Sequence, residues 1–226
     1  MTGFDGLKQA IEALAGPDIA VAVQDTHRPD GTLWPEESSA VARAIPARQA
    51  EFTAGRVAAR QAMVALGLPL AAVPMGADRA PQWPMGVVGS IAHAGRICVA
   101  VLARSGPING IGVDLEPALP LSPELWDTVL RPDERALLAP LEPAQQGLHA
   151  TRIFAAKEAA YKCQYPLSQT VLDFDALQIT VTESRFTASF QRDTPPFMSG
   201  HRIAGHFGQH EGLILALVVQ RGAQTV

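Results

Sequence analysis

With 226 residues, 47% hydrophobic side chains and a formal net charge of −4, the chain can bury one large core or two small ones. It lacks the broad basic face that a general nucleic-acid binder needs to displace counterions from phosphates. No apolar run reaches the roughly 18 residues of a membrane span, and the start of the chain (Asp5, Lys8 and Glu12 in an amphipathic pattern) has no secretory core, so a cytoplasmic protein is expected.

Residues 46–66 open on a proline suited to a first helical position, carry an apolar stripe through Phe52, Val57, Ala59, Met63 and Leu66, and stop at Gly67. This spacing predicts a helix. Residues 67–86 hold Pro69, Pro74, Pro81 and Pro84 with Gly76 and Gly86, too many breakers for anything but a connecting loop. Residues 87–103 read as a hairpin bent at Ala94-Gly95, and 110–117 as a third strand closed by a proline. Helices are then expected over 131–138 and 144–163, the second ending before Tyr165-Pro166. Strands follow at 176–181, 185–190, 201–207 and 212–219. Helix-then-strands thus occurs twice, with a junction near 107–111 and no sequence repeat detectable between the halves. The fold class is α+β, with halves over 1–108 and 109–226. The two cysteines, Cys98 and Cys163, lack CxxC spacing and read as reduced thiols.

In the strand around GIGVDLEP, Gly112, Asp114 and Glu116 share one face because side chains alternate with period two. Two carboxylates on one face suit a hard divalent cation, although a solvated sheet face accounts for the alternation equally well. In FAAKEAAYK, residues 154–162, Glu158 and Lys162 stand four apart on one helix face, and Lys157 projects about a quarter-turn away. A surface salt bridge is the simple account of Glu158 and Lys162. The functional one makes Glu158 a third metal-side carboxylate or a base held by Lys162, with Lys157 facing a phosphate. Upstream, Arg56 and Arg60 are four apart with Arg48 near the same stripe, so an anion between them would relieve their repulsion. Ser90 and His93 lie at a strand end, where an imidazole can donate to a phosphate oxygen.

Together these segments resemble the 4′-phosphopantetheinyl transferase superfamily in its longer single-chain form. The G-(V/I)-D-x-E element is met by Gly112, Val113, Asp114, Leu115 and Glu116, and the (F/W)-x-x-K-E-(A/S)-x-x-K element by Phe154, Lys157, Glu158, Ala159 and Lys162. FTAGRVAARQAM and the segment around Trp83 and Ser90 look like the branch that activates siderophore-type and broad carrier proteins, with Ala92 standing where a serine or threonine often precedes the histidine. The resemblance implies two similar helix-plus-antiparallel-sheet halves related by a pseudo-twofold, with the active site in the cleft between them, in a monomer. It implies transfer of 4′-phosphopantetheine from coenzyme A to a serine of an acyl or peptidyl carrier protein, releasing adenosine 3′,5′-bisphosphate. It also implies Mg2+, with Mn2+ as a substitute, on Asp114, Glu116 and Glu158, and catalysis by Glu158 with Lys162 and Asp114. Coenzyme A contacts would fall to Arg48, Arg56, Arg79, Ser90, His93 and Lys157, with Arg60 included on helix phase alone. Carrier docking is expected around Leu121, Trp126, Arg131 and Arg135, because carrier domains are acidic. The rival readings are a non-catalytic coenzyme A or nucleotide-binding module and a metal-dependent nuclease. The nuclease pattern wants glutamate and lysine two apart on a strand, which this helix does not supply.

Overall fold

Pro46 presets φ at the first helical position, and the alanine-rich segment behind it winds into a helix over Pro46–Ala65 in the computed structural model, which describes residues 3–222. The stop is where the sequence places it. Gly67 adopts φ +63, and the Leu68 N–H returns to the Met63 carbonyl at 2.9 Å, closing the helix end.

The elements run α1 (Gly3–Ala15), β1 (Ile19–Asp25), α2 (Pro35–Ser38), α3 (Pro46–Ala65), β2 (Val87–Ala94), β3 (Ile97–Arg104), β4 (Ile108–Pro117), α4 (Trp126–Val129), α5 (Pro132–Leu138), α6 (Pro143–Ser168), β5 (Leu177–Val181), β6 (Arg185–Phe190), β7 (Arg202–His210) and β8 (Leu213–Arg221). The class is α+β, as expected. One compact unit runs to Ile111 and takes in the chain from Arg221; the other is Gly112–Gln220.

In the first unit the antiparallel sheet β1-β3-β2 carries α3 on an alanine-rich core, with Ala58, Ala59 and Ala62 against Ala20, Ala22, Ala100 and Leu102. Residues 67–86 form the expected loop, tightened at Met75 and Pro81 by an isolated bridge. In the second unit α6 packs on the sheet β4-β8-β7-β6-β5 over Phe186, Phe190, Ile203, Phe207 and Ile214. Both cysteines are buried, and burial pushes each thiol up to about 12, which keeps them inert.

Three features differ from the sequence reading. Strand β1 and helices α1, α2 and α4 had no predicted counterpart. Helix α6 continues through Pro166 to Ser168, because a proline this near the C-terminus forfeits only one bond and Gln169, at φ 53, closes the end by donating to the Tyr165 carbonyl. Finally, a repeat does exist. Residues 131–157 follow 34–60 at a fixed interval of 97 positions (34 to 131, 60 to 157), matching Pro35 with Pro132, Glu37 with Glu134, Pro46 with Pro143, Gln49 with Gln146 and Ala58-Ala59 with Ala155-Ala156.

The hydrogen bonds repeat with the residues. Gln49 Nε2 donates to the Ala44 carbonyl at 3.1 Å, and Gln146 Nε2 to the Leu141 carbonyl at 2.7 Å. Glu37 accepts from the Trp34 N–H at 3.0 Å, and Glu134 from the Arg131 N–H at 2.9 Å, each the N3 residue of a proline-initiated helix folding back on its N-cap. Few side chains match outright, so the wiring reveals a kinship that the residue pattern alone conceals.

Within the second unit β4 and α6 touch backbone to backbone. A Cβ on Gly112 would fall 1.8 Å from the Ala159 carbonyl oxygen and 2.8 Å from the Cys163 nitrogen, so only glycine fits. The substitution Gly112→Ala is expected to cost more than about 3 kcal/mol in urea unfolding, because neither backbone segment can yield. Gly95→Ala meets nothing within 4 Å and carries only the strain of φ +53, so it should cost about 1 kcal/mol. Equal small losses at the two positions would contradict the close approach.

Candidate active site

The Gly112 contact brings the polar face of β4 against α6, and Asp114, two residues on, meets that helix with its side chain. Asp114 is 5% exposed, which rules out a solvated sheet face. Its Oδ1 accepts from Lys162 Nζ at 2.6 Å, whereas Oδ2 is buried without a hydrogen-bond partner. Lys162 lies 3.9 Å from Glu158 Oε2. The main partner of Lys162 is therefore Asp114 on the strand, and the i,i+4 salt bridge within the helix is the longer contact. Glu158 is partly exposed and borders a cavity of about 200 Å³ that Lys157, Tyr161, Leu172, Asp173, Phe174 and Leu177 also line.

These groups charge one another. Burial pushes the Asp114 carboxyl from 3.8 up to about 6; Lys162 opposes the shift and Glu158 adds to it. Glu116 rises from 4.5 to about 7, first through burial, then through repulsion from Asp114 and Glu158. Three mutually repelling carboxylates with one lysine leave an excess of negative charge around the buried Asp114. Among the described residues no three His, Cys, Asp or Glu side chains already stand as a ligating cluster, and the Lys162 ammonium takes the place beside Asp114. The donor chemistry, oxygen only with an unpartnered buried Asp114 Oδ2, fits a hard divalent cation such as magnesium.

The repeat supplies a contrast. The residue after Arg60 is Gln61, where Glu158 follows Lys157 in the second unit, and Gln61 Oε1 accepts from Gln24 Nε2 on β1 at 2.9 Å. The first unit thus joins strand to helix with a neutral amide pair, and the second does so with ions.

The basic residues divide into exposed and buried groups. Arg48 and His93 are exposed neighbours, Nη1 to Nε2 3.3 Å, beside Glu51, and this pair can receive a phosphate. Arg79 is exposed on a tight turn with φ 70, its N–H donating to the Gly76 carbonyl at 2.9 Å. Ser90 is 4% exposed on β2. Arg56 is also buried, donating from Nε to the Val73 carbonyl at 2.8 Å and stacking on Phe52 at 3.8 Å; burial lowers it to about 10 while Glu37 pulls the other way. Arg60 donates to both oxygens of Glu37 at 2.7 Å and to the Thr32 carbonyl at 2.6 Å. The anion expected between Arg56 and Arg60 is therefore an internal glutamate.

Lys157 corrects another expectation. It does not face a phosphate: it is 1% exposed, ion-paired with Glu134 Oε2 at 2.7 Å, and donates to the carbonyls of Val129 at 2.7 Å and Phe174 at 2.9 Å. Arg131 meets the Asp175 carbonyl and Asp133, and Arg135 pairs with Asp127 at the exposed surface. Glu37 and Glu134 escaped sequence reasoning, although each stands two residues after a helix-starting proline, where a glutamate commonly folds back on the N-cap.

Comparison with known proteins follows the same division of the chain. Residues 35–103 match the 4′-phosphopantetheinyl transferase N-terminal domain, and residues 110–218 match the 4′-phosphopantetheinyl transferase superfamily. Among curated relatives, 4′-phosphopantetheinyl transferase Svp of Streptomyces mobaraensis is 38% identical over 84% of this chain and 79% of its own length. The transferase PptT of Mycobacterium tuberculosis is 35% identical over 89% of this chain and 92% of its own. Enterobactin synthase component D of Salmonella typhi is 36% identical over 66% of this chain and 61% of its own. With both halves matched and relatives aligned across most of their length, the chain belongs to the 4′-phosphopantetheinyl transferase superfamily.

Proposed function

We propose that the protein moves 4′-phosphopantetheine from coenzyme A to a serine of an apo carrier protein and releases adenosine 3′,5′-bisphosphate. The observation that carries this is the buried Asp114, paired by one oxygen with Lys162, unpartnered at the other, and flanked by Glu116 and Glu158. Magnesium held by Asp114, Glu116 and Glu158 would supply positive charge to a diphosphate.

The chain's own residues account for the remaining steps. The serine oxygen attacks the phosphorus that bears the pantetheine arm, and the bond from that phosphorus to the departing nucleotide phosphate breaks. Glu158, partly exposed beside its cavity, accepts the serine proton. Lys162 fixes Asp114 and remains within reach of Glu158. Arg48 and His93 suit a phosphomonoester such as the coenzyme A 3′-phosphate, with Arg79 and the 81–90 segment near the adenine and ribose. Arg56 ties α3 to the following loop by its bond to the Val73 carbonyl. Relatives named as enterobactin synthase components support the carrier domain of such a synthase as one substrate class, met by a monomer in the cytoplasm. Carrier contact near Leu121, Trp126, Arg131 and Arg135 would combine apolar surface with basic charge, Arg135 lying in an exposed pair with Asp127.

Incubation with coenzyme A, magnesium and apo carrier proteins should add one phosphopantetheine to a carrier, read as a mass shift. Asp114→Asn and Glu158→Gln should each lower kcat by about 100-fold or more, whereas Arg48→Ala should chiefly raise KM for coenzyme A. Unmodified carriers across acyl and peptidyl types, or equal small effects of all three substitutions, would contradict the proposal.

The carboxyl shifts give a second test. Asp114 and Glu116 bind protons more tightly folded than unfolded, so the stability they contribute is full below about pH 4 and is lost as pH rises through about 6 and 7. Without divalent cations the melting temperature should fall between about pH 5 and pH 8. Magnesium should restore it at the upper pH and do little at the lower, where protons compete for the same oxygens. A melting temperature indifferent to magnesium at both values would count against the carboxylate site.

A further inference from the structure

Lys157 and Glu134 are each 1% exposed, and both carboxylate oxygens of Glu134 and the Lys157 ammonium have partners. Besides its bond to Lys157, Glu134 accepts the N–H of Arg131 at the start of α5, and its Oε1 accepts the N–H of Ile179 in β5 at 2.6 Å. Lys157 adds the Val129 carbonyl at the end of α4 and the Phe174 carbonyl before β5. One ion pair thus ties α6 to three neighbouring segments. Glu158 is the next residue, turned about 100° around the helix, and Lys162 lies one turn beyond Glu158.

Buried ion pairs are poor sources of net stability, since apolar pairs of similar volume often do as well. Their geometry is nevertheless specific, because every lone pair and proton must be matched. In the first unit Arg60 and Glu37 form the corresponding strut, with the Val73 N–H donating to Glu37 at 2.9 Å in the role of Ile179. That strut is followed by Gln61, so the pairing itself carries no chemistry; its consequence depends on the residue that comes next.

We propose that the Lys157–Glu134 pair is a positioning device for the reaction, fixing the rotation of α6 so that Glu158 and Lys162 face Asp114, while Lys157 touches no substrate. The catalytic consequence rests on the transferase reading above, but the mechanical one does not. A misplacement of about 1 Å at a reacting group can cost roughly 100-fold in rate.

The test compares Lys157→Met, Lys157→Arg and Ile203→Ala, the last a core truncation in β7 of the same unit that also lowers the melting temperature. Well below their melting temperatures, Lys157→Met should lose about 100-fold in kcat with KM for coenzyme A within about threefold. Lys157→Arg should recover most of kcat, as arginine serves in the first unit, and Ile203→Ala should keep kcat within about threefold. Hydrogen exchange, which needs no turnover, should show faster exchange at residues 158–163 in Lys157→Met and not in Ile203→Ala. Glu134→Gln provides the same comparison if Lys157→Met does not fold.

Retention of kcat by Lys157→Met, unchanged exchange over 158–163, or kcat falling equally in Ile203→Ala would overturn the inference. So would a rise confined to KM, which would make Lys157 a ligand contact. If the wild type transfers nothing to any carrier, the functional reading fails instead, and the exchange data alone judge the strut.

Discussion

The site depends on a contact between two backbones. At Gly112 the strand β4 comes so close to α6 that no side chain fits between the glycine and the Ala159 carbonyl. Given that approach, Asp114 must enter the helix side chains at a fixed height, and Lys162 is the residue that meets it, at 2.6 Å. The glycine of the G-(V/I)-D-x-E pattern therefore has a mechanical role: it sets the distance over which the carboxylates and the lysine act.

Charge is used in two ways within the chain. Arg60 with Glu37 and Lys157 with Glu134 are buried and hydrogen-bonded, each binding a long helix to a short proline-initiated one and to a third segment. Asp114, Glu116 and Glu158 are left in surplus, with one oxygen unpartnered and two carboxyls raised toward neutrality. Matched charge sets geometry, whereas unmatched charge is what the proposed cation would neutralise. The first unit shows the same wiring with Gln24 and Gln61 in place of ions, so it has the scaffold without the surplus.

Much of this was legible in the residues. A proline start and glycine stop located α3, a proline start located α5, and period-two alternation put Asp114 and Glu116 on one face of β4. The spacing of Glu158 and Lys162 identified the face of α6 that matters. What stayed hidden was partnership. A lysine beside Glu158 reads as an anion ligand until the structure places Glu134 against it, and two arginines four apart read as a phosphate site until Glu37 is found beside Arg60. The repeat escaped because few residues recur identically, and the hydrogen bonds preserved by Gln49 and Gln146 become visible only in three dimensions. The end of α6 was set too early because a proline in a last turn costs much less than one in the middle.

The most direct test of the account is a double-mutant cycle on Asp114 and Lys162, using Asp114→Asn, Lys162→Met and the pair, read as unfolding free energy without divalent cations. A part-buried contact at 2.6 Å across the β4–α6 junction predicts a coupling above about 1 kcal/mol. Losses that add to within about 0.5 kcal/mol would show that strand and helix are not joined there, and would remove the physical basis of the site.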